Sequence, residues 1–293
     1  MEPYLWLTLT AAIVYTLAAL CMKQSSNEGI GPWRTTVVWN ALLALVSLPA
    51  WFATDASLSM DSMVVPIGLS FAFFLGQLFN ALAIYKGDVS LVTPIMGGTK
   101  VVFVSILAIF FLTDSTTTMI WAASILSAVA ILLMRGENHT EKKRLLPSII
   151  LGLMSAISFA GFDICMQRFG SEVGFAEIVS RTFTFTFLWS LLLIPMFKSS
   201  IHQVSKRTWV WLIGGGLLHA GQGVAIAYIL TTFGNATRVN VVYSSRGFWS
   251  IVLVWAIGHW FSNSERHQGR SVFVRRLAGS SLLCVAIVLA TWG

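Results

Sequence analysis

The sequence predicts an all-α polytopic membrane protein with ten transmembrane helices, arranged as two inverted five-helix repeats. Three observations predict this fold: an apolar composition, recurring apolar runs of transmembrane length, and a similarity between the two halves of the chain. Of the 293 residues, 56% are hydrophobic and only 11% are charged. Because a soluble domain of this size needs a larger charged fraction to cover its surface, the composition favours a membrane protein.

A helix of about 20 apolar residues crosses the hydrocarbon core of a bilayer, and runs of this length recur along nearly the whole chain. Each run is expected to be helical, because lipid offers no hydrogen-bond partner to an exposed strand edge. The first run lacks a basic leader and a small-residue cleavage site, so we interpret it as a retained helix. The predicted spans cover residues 4–22, 33–53, 62–85, 88–112, 116–134, 146–168, 174–197, 208–231, 236–261 and 272–292.

The longest polar stretch, RGENHTEKKR over residues 135–144, divides the chain nearly in half and suggests an internal duplication. Five spans is an odd number, so a second copy must enter the membrane from the opposite side, as in many secondary transporters. We therefore predict a first repeat over 1–135, a polar linker over 136–145 and a second repeat over 146–293. Four matches at offsets of 144 to 147 residues support this division: Cys21-Met22 with Cys165-Met166, Gly76-Gln77 with Gly221-Gln222, Gly87-Asp88 with Gly234-Asn235, and Lys100 with Arg246.

The net charge is +7, and most basic residues lie in the short breaks between apolar runs. Cytoplasmic loops are charged in this way, so the charge argues against nucleic acid as a partner. Nearly all loop cations follow odd-numbered spans, whereas loops after even-numbered spans hold only Arg168 and Arg238. This bias predicts a multi-pass protein of the plasma (inner) membrane with both termini extracytoplasmic.

No cofactor or metal is predicted. The three widely spaced cysteines give neither a disulfide framework nor a zinc spacing. His219 has no second metal ligand three or four residues away, and the glycines around it lack the Lys of a phosphate-binding loop. We interpret those glycines as sites of close helix packing.

Two segments resemble the EamA-type branch of the drug/metabolite transporter superfamily: GDVSLVTPIMGGTKVVFVSILAIFFL over residues 87–112, and GNATRVNVVYSSRGFWSIVLVWAIGHWF over 234–261, which lacks the proline. The resemblance implies a substrate cavity near the midplane between two halves that rock against each other. Many members have cytoplasmic termini, so the loop charge of this chain is the reverse of the usual pattern.

Lys100 and Arg246 lie near the middle of the fourth and ninth spans and are equivalent under the repeat. A charge at that depth costs at least about 2.5–3.5 kcal/mol, so such residues face a cavity or a partner. Two cations around one cavity would attract an anionic substrate, and Arg can bind a carboxylate or phosphate with two hydrogen bonds. In the related nucleotide-sugar and triose-phosphate transporters, basic residues on these spans face the substrate. The alternative is that each cation pairs with an internal carboxylate and only holds helices together.

Further substrate contacts are predicted from neutral polar and aromatic side chains at mid-span. Gln77 and Gln222 are equivalent under the repeat, so both are expected to face the interior, where interhelical hydrogen bonds would explain them equally well. The other candidates are Asn80, Trp39, Tyr243 and Trp249. Trp249 follows Arg246 by three residues, which places it near the same face of the helix.

Three titratable residues are candidates for coupling transport to protons: Asp163, Glu177 and His219. Asp163 has no acidic counterpart in the first repeat, which suits a coupling or substrate residue. Glu177 and Arg181 are four residues apart on one helix and could pair with each other. A lone intramembrane His is also a common packing residue.

Pro94, Gly97 and Gly98 weaken the fourth span just before Lys100. They predict either a hinge at the binding site or a proline kink that shapes the cavity.

The predicted function is secondary active transport of a small polar metabolite, anionic or zwitterionic, by alternating access through a central midplane cavity. Without an ATP-binding motif, energy would come from exchange or an ion gradient. The expected partners are a small-molecule substrate, membrane lipid, and a coupling ion or counter-substrate, with the protein a monomer or homodimer. The alternatives are an exporter of amines or amphiphiles and a lipid translocator. A membrane enzyme is a further alternative, which the absence of any catalytic motif in the sequence disfavours.

Overall fold

The computed structural model describes residues 2–53, 60–112, 118–134, 139–197, 204–261 and 270–292. All regular secondary structure in these ranges is helical. The α-helices are α1 (Pro3–Asn27), α2 (Pro32–Ser47), α3 (Met60–Lys86), α4 (Val89–Phe111), α5 (Thr118–Met134), α6 (His139–Val173), α7 (Phe175–Ser190), α8 (Lys206–Phe233), α9 (Ala236–Tyr243), α10 (Arg246–Ile257) and α11 (Arg270–Trp292). Short 3-10 helices, Leu48–Ala53, Leu191–Met196 and Gly258–Phe261, continue α2, α7 and α10.

Eight helical segments within the described ranges are long and apolar enough to cross a membrane. They coincide with the predicted spans one to four and six to nine, and they identify the chain as a helical polytopic membrane protein. The helices α5 and α11 lie at the positions predicted for the fifth and tenth spans. The start of the fifth span, at 116–117, falls outside the described residues.

Two helix boundaries differ from the sequence prediction. α6 begins at His139, so much of the predicted polar linker is an N-terminal extension of this helix, while residues 136–138 of that linker lie outside the described ranges. The ninth span is interrupted: α9 ends at Tyr243, α10 begins at Arg246, and Ser244 and Ser245 form a turn between them. By contrast, α4 runs without interruption through Pro94.

The helices pack in a pattern that joins the two halves of the chain. α3 packs along α6 and α7, while α8 packs along α1 and α2. α4 lies against α6 and against the broken α9–α10 segment, and α5 pairs with α11. Helices α1, α3, α4, α6, α8, α9 and α10 thereby surround the centre of the bundle.

Side chains of α1 and α6 bind backbone groups at two helix termini, the end of α3 and the start of α9. Lys23 of α1 donates to the carbonyl oxygens of Ile84, at 3.1 Å, and Gly87, at 2.7 Å, at the end of α3. Gln167 of α6 accepts a hydrogen bond of 2.5 Å from the backbone N–H of Ala236, just after α8. These contacts satisfy backbone groups that a helix end leaves unpaired.

Small residues allow the closest approaches between helices. A Cβ atom on Gly215 would lie 2.6 Å from Cβ of Cys21 on α1, and one on Gly216 would lie 2.5 Å from the Leu42 side chain on α2. A Cβ on Gly76 of α3 would lie 2.8 Å from the Phe159 ring on α6. The glycine-rich stretch of α8 is therefore a packing surface, because a larger residue would push these helices apart.

Replacing Gly215 by Ala is expected to lower the free energy of unfolding by about 1–3 kcal/mol, since the new methyl group would overlap the Cys21 side chain. Thermal unfolding of the purified protein in detergent measures this change. Gly214→Ala is the matched control on the same helix, because nothing lies within 4 Å of a Cβ placed there. Equal melting temperatures for the two variants would contradict the close-packing interpretation.

Candidate substrate-binding site

A cavity lies at the centre of the bundle, at the middle of the membrane-spanning helices. It contains about 380 Å³ of space between atoms, part of it open to the surroundings. Seven of the described helices contribute to its wall, α1, α3, α4, α6, α8, α9 and α10, and they provide aromatic rings as well as charged and amide side chains. Its lining residues are Tyr15, Phe73, Lys100, Phe159, Phe162, Asp163, His219, Gln222, Gly223, Ile226, Tyr243 and Arg246.

Lys100 and Asp163 form an ion pair across the cavity. The Lys100 Nζ atom lies 2.6 Å from Oδ2 of Asp163, and both side chains are almost fully buried. Asn240 of α9 donates a second hydrogen bond, of 2.6 Å, to the same carboxylate oxygen. The pair joins α4 to α6, and Asn240 fixes the carboxylate from a third helix. The sequence-based alternative, an internal carboxylate partner, is therefore the observed arrangement for Lys100.

Arg246 is the second cation of the cavity, and two tyrosine rings hold it. Its guanidinium carbon lies 4.6 Å from the ring centre of Tyr15 and 4.5 Å from that of Tyr243. The side chain is buried, yet its Nε and Nη2 atoms have no hydrogen-bond partner among the described residues. Cation–π contacts stabilise the charge without using its N–H donors. Arg246 therefore presents unsatisfied donors at the centre of the protein.

The turn between α9 and α10 places Arg246 at the start of a helix. On the facing helix, a Cβ on Gly97 would lie 3.4 Å from Nε of Arg246 and 3.4 Å from the carbonyl oxygen of Ser244. Gly97 thus lets α4 approach this turn closely. The other two predicted hinge residues, Pro94 and Gly98, are also buried, and the helix α4 that contains them is continuous. The break in a helix occurs instead between α9 and α10, on the wall that faces α4.

A chain of hydrogen bonds leads from the tyrosine pair to α8. Tyr243 donates to Oε1 of Gln222 at 2.5 Å, and Nε2 of Gln222 lies 3.3 Å from Nδ1 of His219. The His219 ring stacks on the ring of Trp39, with 5.1 Å between centres. Trp39 is itself fixed by a 2.9 Å bond to the carbonyl oxygen of Leu212. Trp39 and His219 thus support this wall of the cavity.

The two predicted amides of α3, Asn80 and Gln77, are not among the residues that line the cavity. Asn80 accepts a 3.0 Å hydrogen bond from the hydroxyl of Tyr15, and so orients the ring that covers Arg246. Gln77 is buried on the same helix, and its Oε1 has no hydrogen-bond partner among the described residues.

Two predicted site residues lie away from the cavity. Trp249 is half-buried and packs edge-to-face on Phe248. Glu177 pairs with Arg181 one turn further along α7, at 2.5 Å, as the spacing of four residues suggested.

The cavity has a net charge of +1 among its described lining residues, because the carboxylate of Asp163 faces the two cations Lys100 and Arg246. It holds no metal-binding cluster: no group of three or more His, Cys, Asp or Glu side chains that could hold a metal ion occurs in the part of the chain that the structure describes. Its electrostatics therefore favour an anion.

Sequence reasoning missed two polar groups of the site and its aromatic wall. Asn240 stands six residues before Arg246 and is an intramembrane amide like those already singled out, so its residue type was a usable signal. Tyr15 lies at the middle of the first span, away from the interface where Tyr is common. The phenylalanines Phe73, Phe159 and Phe162 give no such signal, because apolar rings are common in every span.

Comparisons with known proteins support the fold and give no function. No family model matches the chain, and no curated protein resembles it in sequence. A crystal structure described only as that of a protein is similar in fold, with a TM-score of 0.72 and 16% sequence identity. The similarity covers 99% of this chain and 98% of the other. At that identity, the likeness shows a shared fold alone.

Removing only the acidic member of the central ion pair is expected to destabilise the protein strongly. Asp163→Asn leaves the Lys100 cation buried without its counter-ion, which costs about 3–5 kcal/mol. The double variant Lys100→Gln with Asp163→Asn is expected to recover most of this loss, because no unpaired charge remains. Thermal unfolding of the wild type, the two single variants and the double variant measures the coupling. Additive losses in the double variant would show that the two side chains do not interact.

Proposed function

We propose that this protein is a secondary active transporter for a small polar metabolite that carries a negative charge, bound in the central cavity. The observation that carries the proposal is the state of Arg246: a buried guanidinium with unsatisfied donors, held between two tyrosine rings in a cavity of net positive charge. An unpaired cation inside a membrane is costly, so a counter-anion from solution would stabilise it.

The charge balance of the cavity favours a monoanion or a zwitterion as the substrate. Lys100 is already neutralised by Asp163, which leaves the single charge of Arg246. A carboxylate or phosphate could accept two hydrogen bonds from the free edge of the guanidinium. Asp163, the one carboxylate among the described residues that line the cavity, already accepts bonds from Lys100 and Asn240, so an amine would find no free counter-ion among these residues. This argues against the amine exporter.

We propose further that the chain has the EamA-type architecture, with ten spans in two inverted five-helix repeats. The packing supports this reading, because exchanging the halves exchanges α1 with α6 and α3 with α8, and both α1–α8 and α3–α6 are principal contacts. Lys23, which binds the end of α3, and Gln167, which binds the start of α9, also stand at equivalent positions. Residues 1–135 and 146–293 would be the two units.

Alternating access would then come from rocking of the two units around the cavity. Lys100 and Tyr15 belong to the first unit, whereas Asp163, Tyr243 and Arg246 belong to the second. The site therefore lies where the units meet, and the turn between α9 and α10 is the place where a wall can bend with least loss of helical hydrogen bonding. Exchange or an ion gradient would supply the energy. We keep the prediction that the protein lies in the plasma (inner) membrane with both termini outside, and that it is not an enzyme.

Arg246→Ala is expected to weaken substrate binding by about 30-fold or more, since it removes a desolvated charged partner of the ligand. Thermal stabilisation of the purified protein by a panel of amino acids, sugar phosphates and amines identifies a ligand, because a compound that binds only the folded state raises its stability. Uptake of that ligand into liposomes then measures transport. Arg168→Gln is the matched control, as this arginine is exposed and pairs with Glu172.

A folded Arg246→Ala protein that binds and transports an anion like the wild type would overturn the proposal. So would a panel in which only cationic amines stabilise the protein.

If transport is coupled to protons, we propose Asp163 as the coupling residue, because its carboxylate lines the cavity whereas Glu177 lies on α7 in its own ion pair. Asp163→Asn is expected to abolish accumulation driven by a pH gradient while substrate exchange continues at equilibrium. Asp163→Glu should retain gradient-driven accumulation. Glu177→Gln and His219→Gln serve as parallel controls in the same liposome assay. Loss of coupling in either control, with coupling kept in Asp163→Asn, would assign the proton to another residue.

A further inference from the structure

Three buried polar atoms in the wall of the central cavity have no hydrogen-bond partner among the described residues. They are Nε and Nη2 of Arg246, and Nε2 of His219. The guanidinium nitrogens of arginine are always N–H donors, whereas a histidine nitrogen either donates or accepts. The occupant that the cavity fits therefore depends on which ring nitrogen of His219 carries the proton.

The side-chain amide of Gln222 determines this protonation. Its Nε2 atom lies 3.1 Å from the backbone carbonyl oxygen of His219, and its Oε1 atom accepts a hydrogen bond from Tyr243. A carbonyl oxygen can only accept, so the amide atom beside it is the NH₂ nitrogen. The same nitrogen lies 3.3 Å from Nδ1 of His219, which must then be the acceptor. A neutral imidazole that accepts at Nδ1 carries its proton on Nε2.

His219 therefore adds an unsatisfied N–H donor to those of Arg246. Only 2% of its surface is exposed, and its ring is held by Gln222 and by stacking on Trp39. A buried donor without an acceptor is costly, because it has lost its hydrogen bond to water. An occupant that offers an acceptor oxygen to Nε2 would remove this cost.

The donors of His219 and Arg246 lie around one aromatic ring. The ring centre of Tyr15 lies 6.3 Å from that of His219 and 4.6 Å from the guanidinium carbon of Arg246. A small molecule in the cavity can therefore contact both groups. Between them it would meet an apolar surface, which Phe159 and Phe162 provide.

The charge of the cavity favours a carboxylate over a phosphate. The ion pair of Lys100 with Asp163 leaves the single positive charge of Arg246. A carboxylate matches this charge, whereas a phosphate monoester carries about −1.5 to −2 at pH 7. An ammonium group offers only donors, so an amino group in place of the second oxygen would leave His219 unsatisfied.

We propose that the substrate is a small monocarboxylate with a second acceptor oxygen, a hydroxyl or a carbonyl, and that Nε2–H of His219 binds this oxygen. The carboxylate binds Arg246, and the carbon skeleton lies against Phe159 and Phe162. His219 is then a specificity-determining residue, which separates oxygen-bearing carboxylates from plain carboxylates and amino acids. This proposal rests on the proposed function, because it names the substrate class of the same cavity.

The test compares butanoate with 2-, 3- and 4-hydroxybutanoate and with the three corresponding aminobutanoates. All seven compounds share the carboxylate and the chain length, and only the second group and its position differ. Thermal stabilisation of the purified full-length protein over a range of ligand concentrations gives the relative affinities. We expect at least one hydroxybutanoate to bind about tenfold more tightly than butanoate, because it satisfies a buried donor. The aminobutanoate with its amino group at the same position should bind more weakly than that hydroxybutanoate.

Two substitutions of the same residue assign the preference to His219. His219→Phe keeps a planar ring for stacking on Trp39 and removes the donor, so it should abolish the preference while butanoate binding remains. His219→Gln retains an N–H donor on a side chain of similar reach and should keep most of the preference. His259→Phe is the matched control, because His259 is exposed and lies outside the cavity lining.

Butanoate that binds as tightly as every hydroxybutanoate would overturn the proposal, and so would aminobutanoates that bind as tightly as the hydroxybutanoates. A preference that persists in a folded His219→Phe protein would do the same. The proposed function fails separately, because Arg246→Ala would still weaken the binding of any other anion. If none of the seven carboxylates stabilised the protein but a sugar phosphate did, the substrate class would be wrong and the anion transporter would stand.

If His219→Phe does not fold, the ¹⁵N NMR spectrum of the wild type labelled at histidine tests the same donor. We expect a neutral His219 with its proton on Nε2, and an Nε2 signal that shifts with the preferred hydroxybutanoate more than with butanoate. The spectrum of His219→Gln identifies the His219 signals by their loss. A proton on Nδ1, or equal shifts with the two compounds, would contradict the proposal.

Discussion

The ion pair between Lys100 and Asp163 is the interaction on which the centre of this protein depends. A charge at the middle of a membrane is tolerated only with a partner or a polar cavity, and each of these residues supplies the partner for the other. The pair ties α4 to α6, and Asn240 adds α9 to the same carboxylate. Asp163 is the one carboxylate among the described residues of the cavity wall, and because it is occupied by Lys100, Arg246 is left as the group that sets the charge of the cavity. Helix packing and electrostatic character thus come from one contact.

Around this contact, the walls of the cavity are positioned by residues that have little or no side chain. Gly97 brings α4 against the α9–α10 turn, and Gly215 and Gly216 bring α8 against α1 and α2. Since lipid is as apolar as the helices, association in a membrane depends on such close packing and on interhelical hydrogen bonds. The short distances between helices let short side chains bond to a neighbouring helix, as Asn240 of α9 does to Asp163 of α6.

The sequence predicts the helical spans and the central charges well, because both follow from the cost of polar groups in hydrocarbon. It identified Lys100, Arg246 and Asp163, and the structure brings all three into one cavity. It could not predict which ring covers Arg246. Helical side chains lean towards the N-terminus, so Arg246 at the start of α10 reaches back over the turn to Tyr243 and not forward to Trp249. The turn itself gives no hydropathy signal, since Ser244 and Ser245 fit a continuous helix equally well.

The rings that enclose Arg246 come from opposite halves of the chain, Tyr15 from α1 and Tyr243 from α9. Any motion that separates these helices takes one aromatic face away from the guanidinium and raises the cost of its burial. An anion bound to the same guanidinium would lower that cost again. Under the proposed function, occupancy of the site and the separation of α1 from α9 would therefore be thermodynamically linked, and an anion that binds one arrangement more tightly would shift the population towards it. The tyrosine pair makes an empty Arg246 favour the arrangement in which the two helices are close together.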